Sequence, residues 1–105
     1  MKVYGVSLHN EKGLDVSYGM FSTEEKAVAY AKEKMTIVES LYQTETFLDF
    51  DGFNYVITEF EVDECKEQCV YSWFLRENGK FTPETEEDKL AWLEENANKL
   101  GFTLA

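Results

Sequence analysis

A chain of 105 residues with 44% hydrophobic and 15% aromatic content and a single proline has the composition of one folded domain, residues 1–105, and not of a disordered tail. Its 21 acids against 10 bases leave a net charge of −11, which a nucleic-acid backbone or an anionic membrane would repel, so direct binding to either is argued against. The opening MKVYGVSLHNEKG holds no apolar stretch of signal-peptide length, and no window reaches the roughly 20 apolar residues of a membrane span, so the expected compartment is the cytoplasm.

The first two predicted elements are strands. Over Lys2–His9 the apolar residues Tyr4, Val6 and Leu8 alternate with the rest, and over Leu14–Phe21 so do Leu14, Val16, Tyr18 and Met20. Asn10, Glu11, Lys12 and Gly13 between them fit a short hairpin loop, which predicts antiparallel neighbours. At Ser22 the period changes. Ser22 and Glu25 have the S-x-x-E spacing of a capping box, and Ala27, Tyr30, Ala31, Met35, Val38, Leu41 and Tyr42 recur at three- and four-residue steps, a stripe suited to covering one face of a sheet.

Residues 43–52 read as a connection, and Phe53–Val62 as a strand with Phe53, Tyr55 and Ile57 on one side and Val56, Phe60 and Val62 on the other. Asp63–Gln68 is expected to turn the chain into a fourth strand, Cys69–Leu75. A second helix is then predicted, with Thr82 as its cap, Pro83 at its first position and Glu84, Glu86, Glu87 and Asp88 where the helix dipole favours acids. Leu90, Leu93, Ala97 and Leu100 form its stripe and Gly101 its C-terminal cap; Trp92 falls off that stripe. The expected fold is therefore α+β, a small antiparallel sheet of about four strands with two helices packed on it, in the order β-β-α-β-β-α. The order of strands within the sheet is not legible.

The stretches YGMFSTEEKAVAYAKEKM and DGFNYVITEFEVDE together resemble a small uncharacterised bacterial and phage domain type. Its features are an opening strand pair, a Ser-Glu helix start, and a Gly-Phe lead into a strand ending in alternating acids. The resemblance covers about residues 1–64, is structural in its motifs, and implies no activity.

Residues that could carry chemistry are few. Cys65 and Cys69 are spaced C-x3-C, but zinc wants about four nitrogen or sulfur ligands and the only histidine, His9, is distant, so one molecule falls short unless a dimer shares a metal. Their acidic flanks disfavour a thiolate, and reduced structural thiols are expected. The DFDGFN segment offers Asp49, Asp51 and Asn54 as oxygen ligands, yet the glycine and glutamate of a calcium loop are out of place. His9 sits at a strand end with no serine or cysteine adjoining it, and the six glycines are scattered, so neither nucleophilic catalysis nor nucleotide binding is indicated. The chain is read as non-enzymatic, with no cofactor and no metal.

Charge is its least generic feature. Residues 43–68 carry eight acids and one base, −7 of the net −11. One expectation is an acidic binding protein that occupies a basic nucleic-acid-binding site on a partner, using Asp49, Asp51, Glu59, Glu61, Asp63 and Glu64. Alternate residues on a strand lie about 7 Å apart, so Glu59, Glu61 and Asp63 in a row would imitate phosphate spacing. The other expectation is an accessory or self-assembling domain whose aromatic surface, Trp92 above all, forms a protein–protein interface.

Overall fold

The computed structural model describes residues 1–44 and 50–100, with side chains to residue 95 in the final helix. Seven elements follow one another: β1 (Lys2–His9), β2 (Asp15–Phe21), α1 (Glu24–Thr44), β3 (Asn54–Glu61), β4 (Lys66–Leu75), β5 (Phe81–Pro83) and α2 (Glu86–Leu100). The strands form one antiparallel sheet in the order β2-β1-β3-β4-β5. The fold is α+β as expected, but with five strands and the order β-β-α-β-β-β-α.

Two differences lie between Asp63 and Thr85. The connection after β3 closes at once, with Asp63 in the left-handed region at φ 65° and the Glu64 amide donating to the Glu61 carbonyl, so β4 begins at Lys66 and not at Cys69. Thr82 and Pro83 do not start a helix. They pair with Phe74 and Trp73 as the edge strand β5, where proline's missing N–H can be accommodated. The helix waits for Thr85, whose hydroxyl accepts from the Asp88 amide while Asp88 accepts from the Thr85 amide, a reciprocal cap. In α1 the cap is likewise one residue later than predicted: Thr23 Oγ1 accepts from the Lys26 amide, and Ser22 Oγ meets the Lys26 ammonium instead.

The core lies between α1 and one face of the sheet. Val6 and Leu8 from β1, Tyr55 and Ile57 from β3, and Trp73 from β4 are buried against Ala27, Ala31, Met35 and Val38 of the helix stripe. Leu41, also placed on that stripe, remains 38% exposed. Far along the helix, the Tyr42 hydroxyl donates to the Glu77 carbonyl and Glu39 accepts from the Phe81 amide, which ties α1 to the β4–β5 hairpin.

Bulges at one level of the sheet shape the opposite face. Tyr18 of β2 is an extra residue between the pairs Ser7–Ser17 and Val6–Gly19, and Val70 of β4 is extra between Thr58–Cys69 and Ile57–Tyr71. Each extra residue reverses the facing of the strand beyond it. Val16 and Tyr18 pack on the core, whereas Met20, predicted to share their side, pairs with Gly5 on the other face and is 60% exposed.

Candidate functional site

Six of the seven residues expected to meet a partner are described, and they are spread over the sheet, its turns and α2. Asp49 lies outside the described residues. Asp51 is in the turn before β3 and Asp63 in the turn after it, roughly 25 Å apart across an eight-residue strand. Glu59 and Glu61 lie on the α1 side of the sheet beyond the helix start, Glu64 is in the second turn, and Trp92 is on the face turned away from α1.

The row of acids is also interrupted and compensated. β3 ends at Glu61, and the left-handed Asp63 does not continue its alternation. Lys2 holds Glu59 at 3.1 Å, the N-terminal ammonium holds Glu61 at 2.9 Å, and Lys66 holds Glu64 at 3.1 Å. Three acids thus face three cations, and the hydrogen bond from the N-terminal ammonium lowers the Glu61 carboxyl from its ordinary value.

The face away from α1 has a different character. Phe60 and Met20 converge there over Gly5, where an added Cβ would come within 3.1 Å of the Phe60 ring and 3.2 Å of the Met20 sulfur. Toward β4 the same face carries Asn54 and Phe74, and α2 crosses above them, leaving a cavity of about 410 Å³ lined by Asn54, Phe74, Asp88, Trp92 and Leu93. Asn54 is fixed at its floor, its amide donating to Ser72 Oγ at 2.7 Å and to the Trp73 carbonyl at 3.1 Å. Leu93 turns toward the sheet, but Leu90, predicted on the packed stripe, is 58% exposed, and Trp92 is 55% exposed. The predicted Ala97, Leu100 and Gly101 positions lie outside the residues whose side chains are described.

A single arginine anchors this arrangement. Arg76 donates to both Asp88 oxygens at 2.8 and 2.7 Å, to Thr82 Oγ1 at 2.7 Å and to the Pro83 carbonyl at 3.2 Å. One guanidinium therefore joins the end of β4, β5 and the first turn of α2. Its two-pronged contact, reinforced by the Thr85 amide, holds the Asp88 carboxyl well below the usual carboxylate range.

Cys65 and Cys69 are free and exposed on the β3–β4 hairpin. Partial burial, then the Glu84 charge, pushes the Cys69 thiol up, away from the reactive thiolate. Among the described residues no three His, Cys, Asp or Glu side chains converge to hold a metal.

His9 is placed differently from the sequence expectation. Residues two apart on a strand share a face, so Ser7 lies beside it, and the hairpin register sets Asp15 directly across. Ser7 Oγ is 3.0 Å from His9 Nε2, and Asp15 Oδ1 is 3.6 Å from His9 Nδ1. The signal was present as S-x-H in one strand and an acid at the start of the next, but only the pairing register joins them. Beside Ser7 a hollow of about 110 Å³ is lined by Gly5, Ser17, Met20, Thr58 and Phe60.

Among the described residues no helix is long and apolar enough to cross a membrane. Compared with protein-family models, curated proteins and solved structures, the chain finds no match, so the resemblance of residues 1–64 rests on the quoted motifs alone.

Proposed function

We propose that this chain is a protein-binding domain that receives a positively charged partner on the face of its sheet turned away from α1. The observation that carries the reading is the exposure of two large apolar side chains, Met20 and Trp92, on that face. Phe60 borders a hollow with Met20, and Phe74 and Leu93 line the cavity beside Trp92. Exposed aromatic and methionine side chains of this kind supply most of the affinity in interfaces where they are centrally buried. A net charge of −11 favours a basic partner and disfavours a second copy of the same chain. The mimicry reading draws less support, because Glu59, Glu61 and Glu64 already have cations beside them.

The test is a pull-down from a lysate of the source cells, comparing the wild type with Trp92→Ala, Met20→Ser and the pair Glu59→Gln/Glu61→Gln, followed by titration of the recovered protein. Truncation of a central aromatic contact weakens binding by about 2 kcal/mol, near thirtyfold. Loss of affinity in the Trp92 and Met20 variants with little change in the glutamine pair is expected. The reverse ranking would restore the acidic strand as the binding surface, and recovery of the chain alone would make the interface a homomeric one.

A further inference from the structure

We infer that Ser7, His9 and Asp15 form a nucleophilic acyl-transfer site on the exposed face of the β1–β2 hairpin, acting on esters of short acyl chains. This goes beyond the binding role; its reacting groups are not part of that interface, although Met20 and Phe60 border both. The order of atoms is what the chemistry needs: a hydroxyl against Nε2 of an imidazole, and a carboxylate on the Nδ1 side. At 3.6 Å the Asp15 contact is too long for a hydrogen bond. Its charge still favours the tautomer with hydrogen on Nδ1, which leaves the Nε2 lone pair to accept the Ser7 hydroxyl at 3.0 Å. Asp15 is thus a positioning residue, while Ser7 and His9 touch the reacting atoms.

The hollow beside Ser7 supplies a place for the acyl group. Gly5 keeps it open, Met20 and Phe60 give it apolar walls, and the hydroxyl residues Ser17 and Thr58 border it as candidate donors to a developing oxyanion. Ser17 is the cross-strand partner of Ser7 in β2, and Thr58 is the partner of Gly5 in β3. At about 110 Å³ the hollow has room for a small acyl group such as acetyl.

In the reaction Ser7 Oγ bonds to the ester carbonyl carbon as its proton passes to His9 Nε2. The tetrahedral intermediate collapses, the bond to the alkoxy group breaks, and the departing oxygen takes the proton from His9. Water then repeats the sequence on the acyl-serine, releasing the carboxylic acid and restoring the Ser7 hydroxyl.

The experiment treats the full chain with a fluorophosphonate, whose P–F bond breaks as Ser7 Oγ attacks phosphorus, and separately with p-nitrophenyl acetate. Peptide mass mapping is expected to place one adduct on Ser7. Ser7→Ala abolishes it, and His9→Ala slows its formation by about a hundredfold or more. Asp15→Asn is expected to slow labelling and Asp15→Glu to restore it, a rescue that a merely structural role would not produce. Circular dichroism and thermal melts of each variant separate loss of reactivity from loss of fold. Absence of an adduct on the folded wild type, or equal labelling of His9→Ala, overturns the assignment. So does p-nitrophenyl acetate hydrolysis that survives Ser7→Ala undiminished, because it would come from the imidazole alone.

Discussion

Replacing Asp88 with alanine removes the far end of the Arg76 fork and the acceptor for the Thr85 amide in one step. Both partners of the fork are partly exposed, Arg76 at 31% and Asp88 at 23% of their side chains, so screening holds its contribution to about 1 kcal/mol. Loss of the reciprocal cap adds about 1 kcal/mol. The sum, about 2 kcal/mol, falls on α2 and not on the whole molecule, because among the described residues a cavity lies between α2 and the sheet. Hydrogen exchange resolves the difference. Amides of α2 should exchange about thirtyfold faster in Asp88→Ala, while those of Tyr55 and Ile57 in β3 keep wild-type rates. Equal acceleration in β3 would mean that α2 unfolds only with the sheet, and unchanged α2 rates would mean that the fork holds nothing. The acid limb gives a second reading. Asp88's carboxyl is depressed in the folded protein, so its stabilisation is complete above the unfolded value of about 3.9 and is lost as pH falls from there through the lower folded value. Deleting Asp88 should therefore flatten the loss of α2 protection below about pH 4.

Other substitutions test the packing. Gly79→Ala forces an L side chain into φ 80° and a Cβ into contact with Gln43 and Tyr42 of α1, so urea denaturation should show a loss of about 2 kcal/mol or more. Gly13→Ala, with φ 94° but open space around it, should lose only about 1 kcal/mol by the same measurement. Ile57 is wholly buried, and Ile57→Ala should lower stability by about 3–4 kcal/mol against about 1 for Ile57→Val; similar losses for both would mean that the core collapses around the gap. Burial, followed by the bond to the Tyr18 hydroxyl, pushes Tyr55 well above the ordinary phenol value. Its contribution to stability is full below about pH 10 and lost above it, and Tyr55→Phe should lessen the fall in melting temperature on the alkaline side.

Period and punctuation made much of the fold legible. Tyr4, Val6 and Leu8 marked β1 to its ends, Tyr55 and Ile57 against Val56 and Phe60 separated the faces of β3, and Ala27, Ala31, Met35 and Val38 marked the buried side of α1. Tyr18 shows what local pattern misses. A bulged residue carries no compositional mark when it is as apolar as its neighbours, yet it transfers Met20 from the expected core to the exposed face. β5 escaped because three residues are too few to show a period, and its Thr-Pro is also a good helix start until Thr85 and Asp88 compete for that role. At the proposed interface, Trp92's position off the leucine stripe could be read, but Leu90's exposure depends on how α2 crosses the sheet. Ser7, His9 and Asp15 are joined only by the turn geometry that sets strand register. The acid row was legible as charge, but the cations folded beside Glu59, Glu61 and Glu64 were not.

The two rims of the sheet differ in how much backbone they leave open. β2 is broken by its bulge and by Gly19 at φ 119°, whereas β5 covers β4 only at residues 73–75, so the outer edge of residues 66–71, interrupted by the bulge at Val70, pairs with no described strand. Strand addition is discouraged along β2, and the edge left open to it is the short run of β4 before Val70. On the proposed binding face, by contrast, recognition would rest on side chains, through shape and charge, and not on backbone hydrogen bonding.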